Sequence, residues 1–207
     1  MTQDIFNEVI AVIYWYNKKY KTKVTVDSFK NEFNWDIVSQ YYPNNLSEDF
    51  IREFKDVVNW NRISGHQKMS ENFIREFKNR VWWYDISVGQ KLSENFIREF
   101  KDKVEWKLIS KYTKLSENFI REMRDRVDWE SISQCQSLSK EFIIEFEDYV
   151  VWDLITTYQN VPWNFEYEHF HSPEKNSEKY KKYLQTCNLQ ASEKKSCDNP
   201  ILDLDIL

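Results

Sequence analysis

Apolar residues recur along one stretch of the chain at a spacing that predicts an α-helix. In LSENFIREFKDKVEW, residues 92–106, they are Leu92, Phe96, Ile97, Phe100 and Val104. These separations place the side chains on one face of a helix, whereas a strand would bury every second residue. The stretch therefore predicts an amphipathic helix of about twelve residues.

A second, shorter helix is predicted directly after the first. Trp106 and Ile109 are three residues apart in EWKLIS, which places both on one helix face. Since a helix of about seven residues is not stable alone in water, its apolar side chains have to be buried on a neighbouring segment. One pattern therefore predicts a helix, a tight turn and a short helix.

Polar residues mark where these helices begin. Ser93 stands at the expected N-cap of the first helix, and Glu94 and Arg98 have the i,i+4 spacing of a favourable ion pair. Asp128 stands before a tryptophan, where it could cap a second helix. The Ser and the Glu–Arg pair recur in other copies of the pattern.

The pattern occurs in five full copies of 23 residues, which contain Trp60, Trp83, Trp106, Trp129 and Trp152. A degenerate copy, centred on Trp35, comes before them. Units that cannot bury their apolar faces alone stack into a continuous core. The repetition predicts an all-α fold, a right-handed or superhelical α-solenoid of about six two-helix 23-residue repeats with helical caps.

The pattern also predicts the organisation of the chain. Residues 1–20 form an N-terminal cap helix with Ile5, Val9, Val12, Ile13 and Tyr16 facing inward. Residues 161–171 are a capping segment, and 172–207 a polar, largely flexible tail. The array between them, 21–160, has a degenerate copy at 21–45 and full copies at 46–68, 69–91, 92–114, 115–137 and 138–160.

Composition narrows the class of protein. With two glycines and four prolines in 207 residues, most of the chain lacks the turn signals of an all-β or Rossmann-type protein. An odd cysteine count (Cys135, Cys187 and Cys197) without a CxxC motif is typical of a reducing compartment. The longest apolar stretch, at residues 9–16, is too short to span a bilayer and lacks signal-peptide features. We expect a soluble intracellular protein without membrane contact.

No catalytic or cofactor-binding motif stands out from the repeat. There is no glycine-rich phosphate loop and no GxSxG motif. His169 and His171 form HFH, but no Cys or carboxylate at ligand spacing completes a metal site. We therefore expect no enzymatic activity, no catalytic residue, no metal and no cofactor.

Recurring basic residues predict a two-column basic ladder on the first helices. Acidic residues accompany them, so we favour a surface of salt bridges between repeats over a stripe that follows nucleic-acid phosphates. The net charge of −5 also disfavours nucleic acid, which stays open as an alternative. The ladder residues are Arg52, Arg75, Arg98 and Arg121 in one column, and Lys55, Lys78, Lys101 and Arg124 in the other.

Positions where the copies disagree suggest a second surface. Repeat proteins often present ligands with variable residues on an invariant core. The variable positions follow each tryptophan and line the turn into the next copy, although drift at tolerant turns explains them equally well. The candidate partner-binding residues are Arg62, His66, Tyr84, Asp85, Lys107, Lys111, Tyr112 and Glu130.

Charge changes along the array. The third copy has a net charge of +2 and the fifth of −4. Such a gradient suits a protein partner with complementary charge, or end-to-end self-association as a structural protein. The last seven residues, ILDLDIL, are either a frayed end or a short motif that binds a partner.

The full unit, LSENFIREFKDKVEWKLIS, resembles a short Trp-containing helical repeat found in proteins of giant DNA viruses of amoebae, the mimivirus-like group. The resemblance covers about residues 21–160. It implies a viral protein in the host cytoplasm or virus factory, and it implies no catalytic or binding residue. Together these features lead us to expect a non-catalytic scaffold or adaptor that binds another protein.

Overall fold

The computed structural model describes residues 1–159, and these residues are helical without any strand. The predicted all-α fold of about six two-helix repeats is confirmed. The chain divides into two compact units, Met1–Glu105 and Trp106–Leu207. The helices of the first unit are α1 (Gln3–Tyr20), α2 (Phe29–Glu32), α3 (Trp35–Tyr41), α4 (Glu48–Glu53), α5 (Trp60–His66), α6 (Glu71–Glu76), α7 (Trp83–Gly89) and α8 (Glu94–Glu99). Those of the second are α9 (Trp106–Tyr112), α10 (Glu117–Glu122), α11 (Trp129–Cys135), α12 (Lys140–Glu145) and α13 (Trp152–Tyr158).

The first helix of each repeat begins as its sequence predicts. The Oγ of Ser70 accepts a hydrogen bond from the backbone N–H of Phe73 at 3.2 Å and caps α6. Glu71 occupies the first turn, where its charge favours the helix dipole. Serines cap α4, α8, α10 and α12 in the same way.

The first helix is shorter than predicted, with six residues instead of about twelve. A continued helix would pair the carbonyl of Lys78 with the N–H of Trp82, four residues later. Instead the indole N–H of Trp83 donates to the Lys78 carbonyl at 3.1 Å, and the Trp82 N–H donates to Ser64 of the preceding repeat at 2.9 Å. The chain therefore leaves the helix and forms a tight turn. The apolar periodicity predicted a longer helix because Val81, in the turn, is buried on the same side as the apolar residues of the helix.

The core of each repeat is a Phe–Ile pair from the first helix and an isoleucine from the second. Phe73, Ile74 and Ile86 are almost fully buried. The tryptophan is only partly buried, and its ring packs on the next repeat: the Trp60 and Phe77 ring centroids are 4.8 Å apart. The sequence predicted that these tryptophans are buried. In the structure their rings are half-buried and pack between repeats.

A buried serine joins each second helix to the following repeat. The Oγ of Ser64 donates to the carbonyl of Trp60 at 2.7 Å and accepts from the N–H of Trp82 at 2.9 Å. One hydroxyl thus satisfies a backbone donor that the end of the first helix left without a partner. The same acceptor role is played by Ser39, Ser87, Ser110 and Ser133.

A glutamine fixes the turn between repeats. The side-chain amide of Gln67 donates to the carbonyl of Ser39 at 2.9 Å, and its oxygen accepts from the N–H of Leu46 at 2.7 Å. Gln90, in the first unit, and Gln136, in the second, make equivalent contacts. The turn that the sequence presented as variable therefore contains a structural residue.

Helix α1 takes the place of a first helix at the start of the array. The carboxylate of Glu8 accepts from the N–H of Ser47 at 2.8 Å, as that of Glu48 accepts from Ser70 at 2.6 Å. The hydroxyl of Tyr16 accepts from the N–H of Asn34 at 3.2 Å, as the repeat serines do for later repeats. The five residues predicted to face inward are buried.

Candidate functional site

The arginine column of the basic ladder makes ion pairs between neighbouring repeats. Arg52 lies 2.8 Å from Glu76, and Arg75 lies 2.7 Å from Glu99. Each guanidinium also lies over a phenylalanine of the next repeat, as that of Arg75 does over Phe96 at 5.0 Å. The equivalent pair in the second unit is Arg121–Glu145 at 2.8 Å. The hydrogen bonds that these arginines donate to Glu76 and Glu99 raise the pKa of Arg52 and of Arg75.

The second column of the ladder lies in the exposed turn between the two helices. Lys55, Lys78, Lys101 and Arg124 are all exposed. We call the exposed turns 55–57, 78–80 and 101–103 of the first unit the turn column. The first two turns are stacked, because Arg80 donates to the carbonyl of Lys55 at 2.7 Å and pairs with Asp56 at 2.9 Å.

The variable residues lie on the outer side of the second helices, which pack side by side within each unit. In the first unit we call this surface the edge of α5 and α7. Arg62 and Tyr84 are exposed there, while His66 and Asp85 are half-buried. The sequence therefore placed four candidate residues on one surface.

Three charged or titratable groups on this edge influence one another. Partial burial lowers the pKa of His66, and the positive charge of Arg62 lowers it further, while Asp85 opposes the shift. Burial raises the pKa of Asp85, against the effect of His66 and Arg62. A Cβ atom on Gly65 would lie 3.4 Å from the Asp85 carboxyl carbon, so the carboxylate rests against α5.

One exposed residue on this edge was missed by the sequence reasoning. Trp82 precedes Trp83, the tryptophan of the repeat, and its side chain is 53 % exposed. It stands at the N-cap of α7 but makes no capping hydrogen bond, whereas Asn59 caps α5 through its side chain. The signal was the pair of adjacent tryptophans, in a position that carries Asn or Asp in three other copies.

The remaining candidates lie on the second helices of the second unit. Lys107 and Lys111 are exposed on α9, and Glu130 is exposed on α11. Tyr112 is half-buried, and the Lys111 ammonium lies 5.1 Å from its ring centre. These residues form a charged surface without an exposed aromatic ring of the kind seen at Trp82.

The described residues contain no group of three or more His, Cys, Asp or Glu side chains that could hold a metal ion. Within residues 1–159, no helix has the length and apolar character needed to cross a membrane. His169, His171, Cys187, Cys197, the capping segment 161–171 and the tail 172–207 lie outside the described residues. Cys135, in α11, is partly buried.

Comparison with known protein families, curated proteins and solved structures finds no match.

Proposed function

We propose that this protein is a non-catalytic scaffold or adaptor that binds another protein through the outer side of its second helices. One observation carries the proposal. The polar residues that recur in the repeats contact neighbouring repeats, whereas Arg62, Tyr84, Lys107 and Glu130 differ between repeats and are exposed. Variable exposed residues on a repeated frame supply a surface that can become specific for one partner.

The arginine column gives less support to nucleic-acid binding than its sequence did. A phosphate would have to compete with Glu76 and Glu99 for Arg52 and Arg75, at the cost of contacts that join repeats. Self-assembly by stacking at the N-terminal end has a similar obstacle, because α1 already supplies the contacts of a preceding repeat.

The setting is part of the proposal. The resemblance of the repeat to those of giant DNA viruses of amoebae supports a viral protein that acts inside the host cell, in the cytoplasm or virus factory. The partner is then a host or viral protein of that compartment.

Affinity capture from infected amoebae tests the proposal. The bait is the full chain, and the test variant combines Tyr84→Ala, Lys107→Glu and Glu130→Lys. A matched control combines Tyr14→Ala with Asp148→Asn, two exposed positions outside the second helices. We expect a partner that the control retains and the test variant loses.

A second bait lacks residues 172–207, so that the tail is tested separately. If the test variant and the shortened chain both keep every partner of the full chain, the proposed surface is wrong.

A further inference from the structure

The edge of α5 and α7 allows the kind of partner to be specified more closely, and this inference rests on the proposed function. We infer that Trp82 and Tyr84 anchor an acidic peptide segment of a partner protein. An apolar side chain of that segment packs on the two rings, and its carboxylates face the turn column.

The anchor consists of two large exposed aromatic rings. Trp82 is 53 % exposed and Tyr84 is 54 % exposed, and they are two residues apart at the start of α7. Trp and Tyr are enriched among the residues that dominate binding energy in protein interfaces, because they bury a large area for few rotatable bonds. The other tryptophans of the repeats, by contrast, use their rings to join repeats.

Trp82 also replaces a residue that would serve the fold better. The side chains of Asn34, Asn59 and Asp128 cap the equivalent helices, and α7 has no such bond. At the start of α13, Val151 also makes no capping hydrogen bond. Its side chain is aliphatic, whereas that of Trp82 is an indole. A residue that gives up a local contact and exposes a ring to solvent is expected where function has been favoured over stability.

The charge beside the anchor selects the partner. The turn column contains five basic residues and two acidic ones, and its second turn ends at Arg80, two residues before Trp82. The Nζ of Lys103 lies 5.8 Å from the ring centre of Trp83, which brings the third turn close to the start of α7. A peptide with carboxylates on this side gains attraction, whereas a basic peptide is repelled.

The opposite side of the anchor limits where those carboxylates lie. Asp85 is half-buried on α7, and Glu105 is exposed one repeat after Trp82. Both disfavour a further acidic group there, while Arg62 tolerates one. The acidic residues of the peptide are therefore placed towards Lys78 and Lys103.

Selection of short random peptides displayed on phage against the immobilised full chain tests this inference. We expect the enriched peptides to carry a net negative charge and at least one large apolar residue. The strongest of them, synthesised with a fluorescent label, then gives a Kd by anisotropy. Raising the salt from about 0.05 M to about 0.3 M should weaken binding, because the turn column is exposed.

Variants locate the peptide on the surface. Trp82→Asn and Lys78→Glu should each weaken binding by at least about tenfold. Tyr14→Ala is the matched control: Tyr14 is 68 % exposed in the same unit and lies beside Lys18, and its loss should leave the Kd unchanged. Trp82→Asn should melt no lower than the parent, since Asn restores a cap, so lost binding cannot be attributed to unfolding.

The outcomes separate this inference from the function on which it rests. Enriched peptides without an acidic bias, or peptides that bind Trp82→Asn and the parent equally, overturn the inference. An empty selection overturns it as well. The capture experiment decides independently whether the second helices bind a protein at all.

Discussion

At the scale of single residues, two buried polar side chains hold each repeat to the one before it. The serine hydroxyl and the glutamine amide each bond backbone groups of a neighbouring repeat, as Ser64 does with Trp82 and Gln67 with Leu46. Buried polar groups stabilise a fold only when their partners are in place, so these contacts also fix which repeat residues meet.

Replacing Ser64 by alanine tests the hydroxyl link. The change leaves the N–H of Trp82 without an acceptor, and we expect the free energy of unfolding to fall by about 1–3 kcal/mol. Urea denaturation measures the difference. Asn79→Ala, at an exposed turn position, is the control and should stay within about 0.5 kcal/mol of the parent. Equal effects of the two changes would contradict the link.

His66 predicts a pH dependence at the same scale. Its pKa in the folded protein lies below the ordinary value of 6.5, so folding favours the neutral ring. The unfolded chain then binds a proton more readily, and the folded protein loses stability as the pH falls through 6.5 towards the lowered pKa. His66→Gln should remove this loss, which urea unfolding of both proteins at pH 7.5, 6.5 and 5.5 measures. If the free energy of unfolding changed with pH equally in both proteins, the prediction would be wrong.

At the scale of elements, the fold was predictable where apolar spacing alone decides it. The positions of Phe73, Ile74 and Ile86, and the serine cap at Ser70, follow from periodicity and capping chemistry. The early end of the first helix could not be predicted from the sequence, because it depends on the serine hydroxyl of the preceding repeat. The linking serine of a second helix, only 0–1 % exposed, looks like any other polar residue in the sequence.

The candidate surface was only partly predictable for the same reason. Comparing the copies found Tyr84 and Asp85 because their types change from repeat to repeat. It passed over Trp82, whose exposure depends on how α7 begins. It also grouped Gln67 with a variable turn, and only its bonds to Ser39 and Leu46 show that it is structural.

Because α1 makes the contacts of a first helix, removing one of these contacts should have the same effect in α1 as in α4. Glu8→Ala and Glu48→Ala each remove the carboxylate that accepts from a cap serine of the following helix. We expect both to lower the free energy of unfolding by about 1 kcal/mol, because the contacts are alike and exposed. Thermal or urea unfolding compares them, and Glu8→Gln, which keeps an acceptor, should lose less. A Glu8→Ala protein as stable as the parent would show that α1 does not act as a first helix.

At the scale of the whole molecule, the polar links within each unit reach only to an adjacent repeat. Stability should therefore be close to a sum of terms for single repeats and for neighbouring pairs. This additivity is expected because the recurring contacts join only neighbouring repeats.

Double variants test this behaviour within the first unit. Glu8 and Gln90 share no partner, so the losses from Glu8→Ala and Gln90→Leu should add to within about 0.5 kcal/mol. Gln67→Leu with Gln90→Leu should depart from additivity, because Gln90 donates to the Gln67 carbonyl. Urea unfolding of the single and double variants supplies the comparison. Coupling between Glu8 and Gln90 as strong as between the two glutamines would contradict the nearest-neighbour description.

The glutamine link has a consequence for how such a gene can change. Each Gln bonds groups at a fixed distance along the chain, 21 residues away for the N–H that it accepts, in Gln67 and in Gln90 alike. An in-frame duplication or loss of a whole 23-residue repeat preserves that distance everywhere, whereas insertion of a single codon inside a repeat breaks it. Recombination between similar copies can therefore lengthen or shorten the protein in one event, and selection can then act separately on the outward-facing side chains of the new copy.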